Sequence, residues 1–293
     1  MTPLEANVRS AVHEYGGGSF FPIPLGPDNT NNVILYTDYA ACHSLFACLV
    51  ASGDKECIRI ETPEAARFAD FEYDSKRCRI LCIMEDHTDS SPEKVVNSVV
   101  SVSLSPILYH FGISKDDSQN QEERIITVAQ GNDVYTTPKL SPNGTHVAYT
   151  TWNHPNMPWY CTNICVQQLN EKGEPIGHYL TVPSVNKTND VIADVSGWSM
   201  IEPRWYNCTK LFLLSDETGW YNLHVWDVIT PNLEPELLWE KEVEFADPHQ
   251  GYVCTGCAYF VSHICQLVDD TNLCSCIQFV SLIATLNTPI DGF

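Results

Sequence analysis

Residues 138–159, PKLSPNGTHVAYTTWNHPNMPW, set a Ser-Pro-Asn-Gly turn before a short apolar strand, then a loop crowded with Trp, His and Pro. Pro and Asn-Gly preset the backbone for a tight reversal, while the β-branched and aromatic run behind them favours an extended chain. A related pattern returns at residues 203–228, PRWYNCTKLFLLSDETGWYNLHVWDV, again as turn, strand, loop and second strand. Such recurrence dictates architecture, because each unit can bury its apolar face only against a neighbouring copy.

Working outward, the chain divides into about five units, at residues 19–62, 68–135, 138–198, 203–245 and 249–293. Strand-like runs in the first lie at 19–23, 33–37, 44–49 and 57–60, and in the second at 95–104 and 124–129. The fourth holds runs at 210–215, 223–228 and 236–239, separated by Asp216-Glu217-Thr218-Gly219 and Pro231-Asn232. Apart from a short turn near residues 63–67, no stretch reads as a capped amphipathic helix. Short strands with turn chemistry between them, repeated, predict an all-β chain built as a β-propeller rather than a sandwich. A four-stranded blade takes ~40–50 residues. About five blades therefore fit: either a closed small ring or, as expected here, an incomplete arc of a seven- or eight-bladed one. Such an arc would leave open blade edges, through which copies could self-associate.

Composition narrows the partners. The chain has 37 Asp and Glu against 16 Lys and Arg, a formal net charge of −21, so nucleic acid and anionic membranes are not expected as partners. Hydrophobic content of 44% is ample for a core. The first residues lack a basic-then-apolar leader, and no apolar run reaches the ~18–20 residues of a membrane helix, so a cytoplasmic location is the expectation. The 13 cysteines fall mostly at strand-like positions, among them Cys48, Cys57, Cys82, Cys165 and Cys265, where free thiols would act as small buried hydrophobes. Sequons at Asn143, Asn186 and Asn207 would matter only in a secreted chain.

Four phrases, in order along nearly the whole chain, carry a family resemblance. They are Val12-His13-Glu14-Tyr15-Gly16-Gly17-Gly18, Met84-Glu85-Asp86-His87, Leu140-Ser141-Pro142-Asn143-Gly144 with Trp152-Asn153-His154-Pro155-Asn156-Met157-Pro158-Trp159, and Ser215 through Leu223. Together they resemble the N-terminal propeller of the prolyl oligopeptidase family of serine peptidases, in its acylaminoacyl-peptidase-like and dipeptidyl-peptidase-like branch. The resemblance implies a propeller that caps a C-terminal α/β-hydrolase domain with a Ser-Asp-His triad and admits short peptides. The hydrolase nucleophile would sit on a Gly-x-Ser-x-Gly elbow. No such pattern occurs here; the nearest, Gly197-Trp198-Ser199-Met200-Ile201, lacks the second Gly. The hydrolase domain is thus expected to be absent and this chain inactive alone, with short peptides reached through a domain it lacks. The alternative is a stand-alone propeller serving as a protein-interaction platform.

Candidate site residues follow from the phrases. Glu14 could offer its carboxylate to a peptide's amino terminus, as propeller glutamates do in some members of the resembled family, or belong to a structural turn freed by the three glycines. Trp152, His154 and Trp159 could line a substrate cavity or plug a neighbouring blade. Glu85-Asp86-His87 reads as a solvated loop. Neither a cofactor nor a metal is expected. Cys254 and Cys257 would face opposite sides of one strand, and Cys274-Ser275-Cys276 is not a zinc knuckle. His13, His87 and His154 lie in different units, without paired-ligand spacing.

Overall fold

Every apolar run named above that falls within the described residues forms a strand in the computed structural model. The model describes residues 5–14, 16–25, 31–50, 55–113, 124–182 and 197–246. Among these residues sixteen strands make four antiparallel sheets of four, each in simple consecutive order. The first sheet holds β1 (Phe20–Leu25), β2 (Asn31–Asp38), β3 (Ser44–Val50) and β4 (Lys55–Arg59). The second holds β5 (Ala66–Asp74), β6 (Arg79–Asp86), β7 (Val96–Ser103) and β8 (Ile125–Gln130). The third holds β9 (Val134–Leu140), β10 (His146–Trp152), β11 (Asn163–Leu169) and β12 (Pro175–Thr181). The fourth holds β13 (Met200–Trp205), β14 (Lys210–Ser215), β15 (Asn222–Asp227) and β16 (Glu236–Trp239).

First strands neighbour first strands: β1 lies by β5, β5 by β9, and β9 by β13. Lys139 on β9 reaches Glu72 on β5 at 2.9 Å, and Trp205 Nε1 on β13 donates to Lys139 O at 2.9 Å. The sheets therefore radiate from a common axis, which makes this part of a β-propeller, as the repeat implies. The fifth unit, 249–293, lies outside the described residues, as do Cys254, Cys257, Cys265, Cys274 and Cys276.

A repeated backbone irregularity ties the sheets together. On β5, β9 and β13 two residues oppose one at Asp70-Phe71, Thr137-Pro138 and Glu202-Pro203. The first of each pair is left-handed, with φ of 56°, 49° and 55°. Pro138 and Pro203, which mark the repeat in the sequence, thus sit inside the first strand of their sheets. A bulge leaves one residue out of the ladder, so a proline there forfeits no hydrogen bond.

Apolar layers separate the sheets. Leu35, Leu45, Phe68, Ile80 and Val100 pack between the first and second, and Leu81, Ile83, Val99, Val147 and Tyr149 between the second and third. Between the third and fourth lie Ile164, Val166, Leu211, Leu213 and Trp226. Full burial of one such side chain contributes about 1.5–3 kcal/mol. The outer face of the fourth sheet, with Ile201, Phe212 and Leu214, is covered in part by Phe245 and Ala246.

Two local features depart from the sequence reading. Helix α1 (Ser105–His110) forms after β7, with a Pro in its first turn and no side-chain cap, and buries Ile107 and Leu108 in the first apolar layer. Cys48 and Cys57, expected as free thiols, stand directly opposite each other on β3 and β4 and are joined as a disulfide, with Cα atoms 4.0 Å apart. Cys82 and Cys165 are buried free thiols, and burial pushes Cys165 up to about 11. Among the described residues no helix is long and apolar enough to cross a membrane.

Candidate functional site

A strap of residues 7–14 crosses the ends of β2 and β6. Asn7 N–H donates to Asp38 Oδ1 (3.1 Å) and Arg9 N–H to Thr37 O (3.2 Å), which fixes the strap to the first sheet. Ser10 Oγ then donates to Phe68 O (2.8 Å) on the second sheet, and Ala11 and Val12 are buried there. Two successive left-handed residues, His13 (φ 55°) and Glu14 (φ 62°), reverse the chain. Glu14 N–H to Ala11 O (3.0 Å) and Gly16 N–H to Val12 O (2.9 Å) close the reversal.

The glycines that follow have a measurable purpose. Gly17 has φ 149°, and a Cβ there would lie 2.7 Å from Ala69 Cβ. Gly18 N–H donates to Asp70 Oδ1 at 2.7 Å. Gly17→Ala should destabilise by about 1–3 kcal/mol through overpacking and strain. Gly219→Ala is the control: it shares a positive φ (91°) but nothing stands within 4 Å of its added Cβ, so it should cost less. Urea melts of the two variants decide this.

Glu85, placed by the sequence on a solvated loop, is instead buried at the end of β6. One carboxylate oxygen accepts the His13 backbone N–H at 2.7 Å, and the other lies 3.0 Å from His87 Nε2. His13 Nε2 stands 4.0 Å from the same group, and Asn97 is the cross-strand partner of Glu85 on β7. The signal was available: Leu81, Ile83 and Glu85 share one face of a strand by its period of two, and the first two are core. His13 and His87, separate units in the sequence, meet on this carboxylate. Among the described residues no cluster of His, Cys, Asp and Glu is arranged to hold a metal.

Of the other expected site residues, Glu14 is solvent-facing and pairs with Arg67 Nη1 at 2.7 Å, while the same Nη1 also donates to Ala11 O (2.9 Å). Trp152 is buried at the end of β10, its ring centroid 6.3 Å from that of His13. His154 is exposed on the following loop, its N–H donating to Asp133 Oδ2 (2.8 Å). Trp159 is 38% exposed beside Tyr160. The structure thus gathers Trp152 with His13 and the strap, and keeps His154 and Trp159 on the β10–β11 loop at the same end of the sheets.

Ser199, at the imperfect elbow, is buried. Its hydroxyl donates to Pro158 O (2.6 Å) and accepts from Tyr221 OH (2.8 Å), while its N–H donates to Asp216 Oδ1 (2.7 Å). These bonds tie the fourth sheet to the loop of Trp159. That is an anchoring role, not that of a nucleophile.

Burial holds the imidazoles of His13, His43, His146 and His224 below their ordinary value. The unfolded chain then binds more protons than the folded one as pH falls through about 6.5, so stability drops on acidification. His224, buried with Nδ1 3.0 Å from Asn222 O, offers the clearest case. Urea unfolding at neutral pH and about one unit below 6.5 should show a smaller loss for His224→Gln than for the parent.

Four radial four-stranded sheets define a partial β-propeller. No family model matches the chain, and no curated protein matches it. Solved structures do. The chain is similar to a puromycin-hydrolyzing peptidase of Mycobacterium tuberculosis at 25% identity and a TM-score of 0.65, over 84% of this chain and 34% of that one. It is similar in fold to a puromycin hydrolase mutant complexed with PGG at 24% identity and a TM-score of 0.68, again over 84% and 34%. The resemblance drawn from the sequence motifs is borne out: the neighbours are prolyl-oligopeptidase-family peptidases, matched at their propeller-like portion. The chain spans about a third of the length of the structures it matches.

Proposed function

We propose that this chain is the substrate-gating propeller portion of a prolyl-oligopeptidase-like serine peptidase that acts on short peptides. The observation that carries the reading is the likeness to peptidase propellers, joined to a rim where one solvent-facing carboxylate, Glu14, is held by a rigid strap. Peptide cleavage would be acyl transfer to a serine, with His as base and an oxyanion hole, on an α/β-hydrolase domain. The elbow-like serine of this chain, Ser199, is committed to Pro158 and Tyr221, which supports a role other than attack. Its contribution is to orient the peptide and limit its length, so that binding energy is spent on positioning. Glu14 suits an ammonium because the Arg67 pair is exposed and exchangeable; such surface pairs are worth only about 0–1 kcal/mol.

The test is calorimetric titration of the purified chain with peptides of increasing length, beside an assay on aminoacyl- and acyl-aminoacyl-chromogenic substrates. Binding confined to short peptides, weakened by Glu14→Gln and without turnover, is the expected result. Equal affinity for long and short peptides would remove the gating role.

A further inference from the structure

In a chain of net charge −21, the rim beside the strap gathers Arg9, Arg67, His43 and His87 around one exposed acid, Glu14. The β2–β3 turn, residues 39–43, forms a shelf there. Cys42 and His43 are both left-handed, with φ of 55° and 60°, and this reversal sets the imidazole edge-on to Tyr39 at 4.7 Å between centroids. The Arg9 guanidinium lies over the same Tyr39 ring at 5.2 Å. Arg9 and Tyr39 are exposed, so the shelf is open to solvent.

One atom on the shelf is left over. His43 Nδ1 is buried and has no hydrogen-bond partner, although such atoms nearly always find one. Burial, with the Arg67 guanidinium nearby, holds this imidazole below its ordinary value. In its neutral form an imidazole carries one N–H to donate, and among the described residues the Arg9 guanidinium lies over the Tyr39 ring with no side-chain hydrogen bond to occupy its fork. If the cluster served only to press the strap down, the cation–π stack would suffice, at about 0.5–1 kcal/mol, and an unpaired buried nitrogen would be a needless penalty. The carboxylate that acts on the imidazole is Glu14, which is paired with Arg67, and Asp38 at the root of the turn accepts the Asn7 and Ala40 N–H groups.

We infer that the Arg9–Tyr39–His43 shelf binds the terminal carboxylate of a short zwitterionic peptide whose ammonium end is held at Glu14. This rests on the reading of Glu14 given above and adds the second anchor. The two anchors together would favour peptides with both ends free and of a length that spans them.

Calorimetry on the full chain tests it with trialanine, its C-terminal amide, its N-acetyl form, and acetate. Amidation should weaken binding roughly tenfold, the effect of losing charge-assisted hydrogen bonds. Arg9→Gln should weaken the free acid by a similar factor and leave the amide unchanged, with thermal melting of the variant checked against the parent. Equal binding of acid and amide overturns the shelf, while sensitivity to N-acetylation would still leave Glu14 as an ammonium site. Sensitivity to amidation without sensitivity to acetylation keeps the shelf and removes the Glu14 reading. Acetate displacing trialanine at similar concentration would overturn the peptide assignment in favour of free carboxylates. Failure of trialanine to bind at all overturns both.

Discussion

Replacing Arg77 with Met should destabilise the protein by about 3–5 kcal/mol, because a buried ion pair broken on one side leaves a charge without compensation. Arg77 and Asp74 are 7% and 3% exposed and meet at 2.6 Å in the β5–β6 turn. The guanidinium also donates to Gly144 O (2.8 Å), Asn170 O (2.9 Å) and Glu171 O (2.9 Å), carbonyls that belong to two turns of the third sheet. One side chain therefore staples the second sheet to the third on the face away from the strap. Arg77→Lys keeps the charge but lacks the planar fork that reaches several carbonyls at once, so it should recover only part of the loss. The double variant Arg77→Met, Asp74→Leu should be more stable than the sum of its single variants implies, since it removes the stranded carboxylate as well. Urea melts of these three variants and of Asp74→Leu alone read the effect. A single Arg77→Met variant within about 0.5 kcal/mol of the parent, the range of ordinary surface substitutions, would show that the staple carries no weight.

Glu85→Ala should have the second largest effect, about 2–4 kcal/mol from two buried donors left without partners. It removes the acceptor for the His13 backbone N–H and the partner of His87. The loss should concentrate on the strap, because Glu85 holds the point where the strap reverses. Hydrogen exchange at the amides of residues 12–16 should speed up far more than exchange in β14 or β15. Glu85→Gln retains a carbonyl oxygen for His13 and should fall between parent and alanine variant. Uniform acceleration across all four sheets would instead mean that Glu85 supports the whole fold and not the strap.

The repeat was legible because its strands announce themselves singly. Residues 210–215 and 236–239 read as strands from β-rich composition and flanking turns, and both become strands with those bounds. What escaped the sequence was relation between strands. The reading of β3 and β4 as strands contained no register, so the juxtaposition of Cys48 and Cys57 could not be seen. Glu85 was taken with its neighbours Asp86 and His87 as a local triplet, although its true company is the alternate residues Leu81 and Ile83. Helix α1 is too short to show a 3.6-residue period and begins at Ser105-Pro106 without a capping bond. The meeting of His13 with Trp152 joins the strap to the third sheet, and no spacing in the chain encodes it.

A propeller that, as proposed, positions peptides without attacking them is tested most directly with an active-site serine probe. The purified chain treated with a fluorophosphonate and digested for mass spectrometry should carry no labelled serine, including Ser199, whose hydroxyl is engaged with Pro158 and Tyr221. A stoichiometric adduct on any serine, abolished by heat denaturation, would mean that this chain holds a working nucleophile of its own.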